Sequence, residues 1–309
     1  MKTENGLPHK IRLRWIVRLI GLLLLGLSLA YVTHEISTHW SDLVLWRPDT
    51  PKILKLAALA LVYGSMLYIL AEVWHRLIAI FGPEPRSRTW RSYALTQIAR
   101  YLPGNLLHLI GRAVVLRGGL LDTRQIGVAT GIELIIVPAG AMTALLGAVL
   151  CIPNSTEIIG ALGLPLSMRT LTAIGGIGLV FAIVSMILVG HRFASGRAVL
   201  APLLVALPLC TFFMVCLGAV FGAIAGIVSG APFLVSAVAG VLAWLIGYVT
   251  PGAPGGIGTR EATLIFLLSG VTNPNDLIIS VILFRLITIF GDLICFSVGG
   301  AFLKNVPVR

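Results

Sequence analysis

The sequence predicts an all-α, polytopic membrane protein with about seven to eight transmembrane helices and two broken or re-entrant segments. Hydrophobic residues make up 57% of the 309 residues, and charged residues only 11%. Several apolar runs reach the ~20 residues that a helix needs to cross the hydrocarbon core. Two further segments, 92–117 and 247–261, combine Pro-Gly breaks with charged side chains. Residues 1–309 are therefore interpreted as one integral-membrane domain.

Lysine and arginine residues are concentrated in short segments between the apolar runs, and they set the predicted orientation. The polar, basic segment 1–14 is assigned to the cytoplasm by the positive-inside rule. Lys304 and Arg309 place the C-terminus on the same side. The predicted location is the inner (cytoplasmic) membrane, with both termini cytoplasmic. The net charge of +11 is explained by these segments and does not indicate nucleic-acid binding.

The predicted spans follow one another along the chain. The first runs from Trp15 to Val32 and the second from Ile53 to Trp74. Near the end of the second, Glu72 is expected to reach the interface as a surface residue. Further spans are predicted at about residues 125–152, 171–189, 199–228 (one long, bent span), 233–249 and 277–303, with a short outward-leading apolar helix over 262–271.

Segment 92–117 is too polar for an ordinary lipid-facing span. Charged, polar and helix-breaking residues interrupt it: Arg100, Pro103, Gly104, His108, Gly111 and Arg112. Basic residues lie on both sides of the segment, so both of its ends are expected on the cytoplasmic side. A re-entrant hairpin, or a broken helix lying at the inner face, satisfies both conditions.

Segment 247–261 has the same character and lies between two apolar runs. Its prolines and glycines break the helix, and broken backbone at membrane depth survives only where protein buries it or where it lines a polar cavity. The segment ends in the adjacent charges of Arg260 and Glu261. We therefore expect a binding or transport site here, with a tight surface turn as the alternative.

The two segments resemble each other, which indicates a weak internal repeat. In residues 101–112 and again in residues 248–260, a tyrosine precedes a Pro-Gly break, and a glycine and an arginine follow. Paired breaks in two halves of a chain point to a site at the repeat interface, although a match this short also fits coincidence. Four predicted spans separate the copies, whereas an inverted repeat needs an odd number.

At these residues the chain resembles a known family, the flippase-like membrane region of lysylphosphatidylglycerol synthases and their stand-alone relatives. The likeness rests on Tyr101-Leu102-Pro103-Gly104 with Gly111-Arg112, and on Pro254-Gly255-Gly256-Ile257-Gly258-Thr259-Arg260-Glu261. It implies a lipid translocase that moves a phospholipid, or a polyprenyl- or hopanoid-type lipid, between leaflets. It also implies a lipid-synthesis enzyme as a partner. The chain is expected to be a stand-alone member without the synthase domain. The resemblance therefore does not indicate which lipid is moved.

Charged side chains inside the apolar segments are the main site candidates, because each costs about 2.5–3.5 kcal/mol at the centre of a membrane helix. Each therefore needs a partner or a polar cavity. Arg285 and Asp292 project from one face of the last helix about two turns apart, so each is expected to meet a residue on another helix. Three guanidiniums and three carboxylates could balance in one interior: Arg112, Arg260, Arg285, Glu133, Glu261 and Asp292.

Phosphate binding is the role predicted for Arg112 and Arg260, because a guanidinium matches phosphate oxygens bidentately. Glu133 and Glu261 could hold a cationic headgroup or take up a proton. The alternative is that these charges are interhelical ion pairs that fix packing. The remaining substrate-binding candidates lie at the two breaks, where backbone N–H groups could also bind phosphate: Tyr101, Pro103, Gly104 and His108, and Gly255, Gly256 and Gly258.

Enzyme signatures are missing from the sequence. It contains no nucleotide-binding G-x-x-x-x-G-K-[ST], no H-E-x-x-H and no G-x-S-x-G. Its four cysteines form no C-x-x-C pair, so neither a metal site nor a cofactor is predicted. A transporter is therefore favoured over an enzyme. The alternatives are an integral-membrane transferase with Glu261 or Glu133 as base, and a scaffold for a lipid-synthesis partner.

Overall fold

Helices are the only regular elements in the part of the chain that the computed structural model describes. That part comprises residue 37 and residues 46–101, 107–116, 119–153, 155–163, 168–192, 196–250 and 258–302. Its helices are α1 (Thr50–Ile78), α2 (Arg86–Thr96), α3 (Leu107–Leu116), α4 (Thr123–Cys151), α5 (Ser155–Ala161), α6 (Met168–His191), α7 (Gly196–Ser229), α8 (Phe233–Val249), α9 (Thr259–Leu268) and α10 (Pro274–Phe302). A 3-10 helix, Gln97–Tyr101, extends α2. The predicted all-α class is confirmed for these residues.

Four of these helices are long and apolar enough to cross a membrane, namely α1, α4, the Val199–Ser229 part of α7 and the Pro274–Ala301 part of α10. They support a membrane protein. The predicted first span and the segment 1–14 lie outside the described residues. Helix α8, predicted as a full span, has 17 residues. At ~1.5 Å per residue it is about 25 Å long, shorter than the ~30 Å hydrocarbon core. The predicted total of about seven to eight spans is thus not reached by the four helices.

The long segment predicted as one span is a single helix. Helix α7 runs unbroken through Pro202 and Pro208 for 34 residues. Helix α4 likewise continues through Pro138 and begins in a capping box, in which the Gln125 side chain accepts a hydrogen bond from the Asp122 N–H at 3.0 Å. Such a box satisfies backbone donors that the first helical turn leaves free.

The long helices approach each other closely at glycines. α1 packs against α7 and α10, and α4 packs against α7. A Cβ added to Gly64 of α1 would lie 3.0 Å from the Gly291 oxygen of α10. A Cβ added to Gly140 of α4 would lie 2.5 Å from the Cβ of Cys210 on α7. Small residues at such crossings allow backbones to come together, as is common between membrane helices.

Helices α2 and α3 form a helical hairpin, residues 86–116, termed hairpin 1. Its two ends meet: Arg88 Nη2 donates a hydrogen bond to the Leu116 carbonyl at 3.0 Å. Glu84, just before α2, accepts from the Leu120 N–H at 2.8 Å and from Arg88 at 3.1 Å. The chain therefore enters and leaves the hairpin at one end of the fold. The depth of hairpin 1 in a membrane stays a prediction, and its tip, residues 102–106, lies outside the described residues.

Replacing Glu84 with glutamine is expected to lower the free energy of unfolding by about 1–3 kcal/mol, because a buried carboxylate that accepts two hydrogen bonds is lost. Thermal unfolding of the detergent-solubilised protein measures the change. Glu157→Gln, at an exposed position on α5, is the matched control. Equal stability of the two variants would contradict the assigned contacts.

Glu72 corrects one prediction, since it is not a surface residue. The relative solvent accessibility of Glu72 is only 8%. It accepts hydrogen bonds from Arg76 Nε and Arg86 Nε, both at 2.8 Å, and from Trp90 Nε1 at 3.0 Å. Because α2 folds back across the end of α1, the carboxylate meets two cations and an indole where the sequence suggested solvent.

Helices α8 and α9 pack together as a second hairpin, residues 233–268, termed hairpin 2. Its tip, residues 251–257, lies outside the described residues. The short helix was predicted to begin at Ala262, but α9 begins at Thr259. Gly258 caps it with φ +81°, a conformation that glycine adopts readily and residues with a side chain rarely do. Arg260 and Glu261 thus lie in the first turn of α9.

The first arm of each hairpin packs against the long helix that follows the other hairpin. The first arm of hairpin 1, α2, packs against α10, which follows hairpin 2. The first arm of hairpin 2, α8, packs against α4, which follows hairpin 1. Correspondingly, α1 packs against α10 and α7 against α4. These contacts bring α3 and α9, which carry the predicted charges, toward the centre of the bundle.

Candidate functional site

A group of charged side chains, termed the central polar cluster, lies where the hairpins pack against α4 and α10. Its members are Arg100, Arg112, Glu133, Arg260, Glu261, Arg285 and Asp292. All six charged residues predicted as site candidates belong to it. Arg100 is the member that was not among the site candidates.

Arg112 of α3 forms an ion pair with Glu133 of α4. The guanidinium also lies over the ring of Tyr93, 4.2 Å from its centroid, and 5.2 Å from the Trp74 ring. Arg112 is only 2% exposed, and its Nε has no hydrogen-bond partner. Aromatic faces stabilise a desolvated cation by up to about 2 kcal/mol, so the rings of α1 and α2 help to hold this charge in the interior.

Glu261 of α9 forms an ion pair with Arg285 of α10. Its Oε1 accepts from Arg285 Nε, whereas its Oε2 is buried without a hydrogen-bond partner. In both halves, therefore, the second arm of the hairpin is joined by an ion pair to the long helix that follows it. The charges are reversed between the two ion pairs. Hairpin 1 contributes the arginine of its pair, whereas hairpin 2 contributes the carboxylate.

Arg100, in the 3-10 helix of hairpin 1, pairs with Asp292 of α10. Its Nη1 lies 3.2 Å from Oδ1 and 3.4 Å from Oδ2 of the carboxylate. The expectation that Arg285 and Asp292 each meet a residue on another element is thus confirmed. Sequence reasoning treated Arg100 only as an interruption of an apolar segment. The signal that could have found it was the unmatched Asp292, which needed a cation from elsewhere.

Arg260 differs from the other members of the cluster. It is only 6% exposed, its Nε has no hydrogen-bond partner, and it forms no ion pair in the described part of the chain. Its guanidinium lies 6.0 Å from the centroid of the Trp244 ring of α8. Tyr63, Glu261, Arg100 and Arg285 are its electrostatic neighbours. A buried cation without a partner is costly, so this position needs an anion.

Among the described residues the cluster carries a net positive charge, because Arg100 joins the three guanidiniums and three carboxylates predicted from the sequence. Four arginines face three carboxylates once Arg100 is included, leaving an excess of one positive charge. The hairpin tips, with sequences Leu-Pro-Gly-Asn-Leu and Pro-Gly-Ala-Pro-Gly-Gly-Ile, contain no ionisable side chain that could neutralise it.

Tyrosines connect the charged pairs into one group. Tyr63 of α1 lies in the electrostatic field of Asp292, Arg100 and Arg260, and Arg100 is within hydrogen-bonding reach of its hydroxyl. Tyr93 of α2 lies in the fields of Arg112, Glu133 and Arg100. The cluster is therefore continuous from α4 to α9.

Tyr248 of hairpin 2 forms a hydrogen bond to a backbone carbonyl of α4 that a proline leaves without its helical donor. Pro138 has no N–H, so the carbonyl of Leu134 lacks its usual helical donor. The Tyr248 hydroxyl donates to this carbonyl at 3.2 Å. Leu134 adjoins Glu133, so this hydrogen bond sets the position of hairpin 2 beside the Arg112–Glu133 pair.

Tyr248→Phe is expected to lower the free energy of unfolding by about 1 kcal/mol, because the Leu134 carbonyl loses its donor. In a Pro138→Ala background the new Ala N–H can serve that carbonyl, so the same substitution should cost less. A double-mutant cycle by thermal unfolding measures the difference. An equal cost in both backgrounds would contradict this explanation.

Several predicted site residues cannot be placed in the cluster. Pro103, Gly104, Gly255 and Gly256 lie outside the described residues, as do the side chains of Tyr101 and His108. Gly258 is placed, as the N-cap of α9. Among the residues that the structure describes, no group of three His, Cys, Asp or Glu side chains could hold a metal ion.

Comparison of the chain with known families and proteins was negative. No protein-family model matches it, and a search of the curated proteins found no significant match. The resemblance to the flippase-like membrane region therefore rests on the two sequence motifs. It stays a prediction, and function must be argued from the geometry and charge of the central polar cluster.

Proposed function

We propose that this protein is a lipid translocase of the cytoplasmic membrane, of flippase or scramblase type, which moves a lipid with a phosphate-bearing headgroup between leaflets. Arg260 carries the proposal, because it is a buried cation without an ion-pair partner in the described residues, in the field of Arg100 of hairpin 1 and Arg285 of α10. A guanidinium binds phosphate oxygens bidentately and more strongly than it binds neutral acceptors. The headgroup binds here while the acyl chains stay in the bilayer.

Opposed hairpins form the path in this proposal. Between them lie α4 and α7, which are long and apolar enough to cross a membrane, and α6, whose apolar part Thr172–Leu188 is shorter. The earlier count of four included residues 233–249, but α8 is a short arm of hairpin 2. If α4, α6 and α7 each cross the membrane, the hairpins enter from opposite sides, which is the arrangement of an inverted repeat. The exchanged contacts of α2 with α10 and of α8 with α4 support this reading.

The distribution of basic residues supports the same orientation. Hairpin 1 begins with Arg86, Arg88 and Arg91, which suits a cytoplasmic entrance. Residues 198–259, which contain α7 beyond Arg197 and the first arm and tip of hairpin 2, include no lysine or arginine. The entrance to hairpin 2 is therefore assigned to the outer side.

Exchange of ion pairs gives a mechanism for passage. A lipid phosphate that reaches Arg260 also enters the field of Arg100 and Arg285. It can replace the carboxylate of Asp292 or Glu261 on one of these arginines, because each pair offers the same kind of charge-assisted hydrogen bond. The phosphate thus keeps a guanidinium partner as the headgroup moves from one hairpin to the other.

Purified protein in liposomes tests the proposal. Fluorescent lipids with anionic, zwitterionic and polyprenyl-phosphate headgroups are placed in one leaflet, and their appearance in the other is followed by chemical quenching. We expect at least one lipid class to cross faster than in protein-free liposomes. If none does, with or without an imposed proton or ion gradient, lipid translocation is wrong.

The transferase alternative predicts another result in the same preparation, and the scaffold alternative predicts another result in cells. A transferase would convert a labelled lipid-linked donor into a new product that chromatography resolves. A scaffold would leave the cellular phenotype intact in Arg260→Ala and Glu261→Ala variants that still insert. Translocation without product formation, lost in these variants, supports the proposed function.

A further inference from the structure

We infer that the central polar cluster selects lipid headgroups with a net charge of −1, as in a phosphodiester with no other ionised group. This inference rests on the proposed function and adds the charge class of the substrate. Its basis is the excess of one positive charge among Arg100, Arg112, Arg260 and Arg285 over the three carboxylates. Arg260 is the member whose charge is unmatched.

Among the described residues, each of the other arginines of the cluster is paired with a carboxylate, and Arg260 is the excess cation. Arg112, Arg285 and Arg100 each meet one carboxylate, on α4, α9 and α10 respectively. The carboxylates of these pairs are at most slightly exposed, so solvent does little to screen the sum. The uncompensated charge is therefore felt by any group that enters between the hairpins.

A headgroup of charge −1 leaves the occupied cluster neutral. A zwitterionic headgroup leaves the excess positive charge in place, and a phosphomonoester of charge near −2 converts it into an excess negative charge. A headgroup with a net positive charge raises the excess further. Because uncompensated charge is costly in a low-dielectric interior, each of these should bind and cross less well than a simple phosphodiester.

Transport of three lipids with matched acyl chains tests the selectivity: a phosphoglycerol, a phosphocholine and, at pH 8.5, a phosphomonoester. The wild-type protein should move the phosphoglycerol lipid faster than either of the others by about tenfold, or about 1.4 kcal/mol, because the choline ammonium or the second phosphate charge is left uncompensated in the interior. A soluble phosphodiester trapped in the same liposomes serves as a further arm. Its efflux in preference to lipid movement would overturn the lipid assignment.

Charge variants should change the order of preference. Arg260→Gln brings the cluster to neutrality and should favour phosphocholine over phosphoglycerol. Glu261→Gln raises the excess to two positive charges and should favour the phosphomonoester, while the amide oxygen still accepts from Arg285. Arg76→Gln is the matched control, since this side chain is 45% exposed and lies outside the cluster; the wild-type order should persist.

The outcomes separate this inference from the function on which it rests. If no lipid crosses in the wild type, the proposed function is wrong. If lipids cross at rates independent of headgroup charge, or if the order is unchanged in Arg260→Gln, translocation stands and the charge selectivity is wrong. Folding does not obscure the result, because Arg260→Gln removes an unpaired buried cation and should not destabilise the protein.

Discussion

Arg260→Gln is expected to reduce translocation of the best-transported lipid by about tenfold or more, while the protein stays as stable as the wild type. The transport loss follows because a guanidinium–phosphate interaction is worth about 1.5–3 kcal/mol. The stability follows because Arg260 is buried and has no ion pair to lose in the described residues. Liposome transport and thermal unfolding in detergent measure the two quantities.

The separation of transport from stability is what identifies Arg260 as a binding residue. Arg76→Gln makes the same chemical change at a half-exposed position and should leave transport unaffected. A substantial fall in the unfolding temperature of Arg260→Gln would indicate that Arg260 is a packing residue. Wild-type transport by that variant would remove the central argument for the site.

Glu133→Ala is expected to destabilise the protein by about 3–5 kcal/mol, because the buried guanidinium of Arg112 loses its counter-ion. The rings of Tyr93 and Trp74 remain near Arg112 and offset part of this loss. Unfolding in detergent measures the effect. Here, in contrast to Arg260, the expected change is chiefly in stability.

A paired substitution distinguishes packing from transport at this position. Arg112→Met combined with Glu133→Leu replaces the buried pair by apolar side chains, a change that is often neutral for stability. Recovery of stability is therefore expected in the double variant. If transport also returns to the wild-type rate, the pair is structural only; if transport stays low, the pair contributes to the path. A double variant as unstable as Glu133→Ala would contradict the assigned pairing.

Local patterns in the sequence were sufficient for much of the fold. The apolar runs and the two Pro-Gly breaks predicted helices close to those observed. Helix α8 has the bounds predicted for a span, and its packing against α9 as an arm of a hairpin is what the sequence did not indicate. Such packing depends on contacts between distant parts of the chain, which hydropathy does not report.

The sequence identified most charged residues of the central polar cluster, but not their pairings or the net charge. Buried charges need partners, so Arg112, Glu133, Arg285 and Asp292 could be selected from their positions in apolar segments. Their pairings could not be read from the sequence. Arg100 was treated only as an interruption of an apolar segment, because its contact with Asp292 spans 192 positions.

Glu72 and Glu84 show the same limit at the base of hairpin 1. Each lies near the end of a predicted span or in a loop, where a carboxylate ordinarily meets water. Both are buried because α2 folds back over α1 and because Leu120 returns to the start of the hairpin. A sequence pattern gives the polarity of a position, whereas the tertiary fold decides whether that polarity faces solvent.

Measuring the lipid that copurifies with the protein tests the central claim most directly. Wild type and Arg260→Gln are purified in the same detergent, and their bound lipids are extracted and resolved by headgroup. The account predicts that an anionic phosphodiester lipid is retained by the wild type and largely lost from Arg260→Gln. Equal retention of that lipid by both proteins would contradict phosphate binding at Arg260.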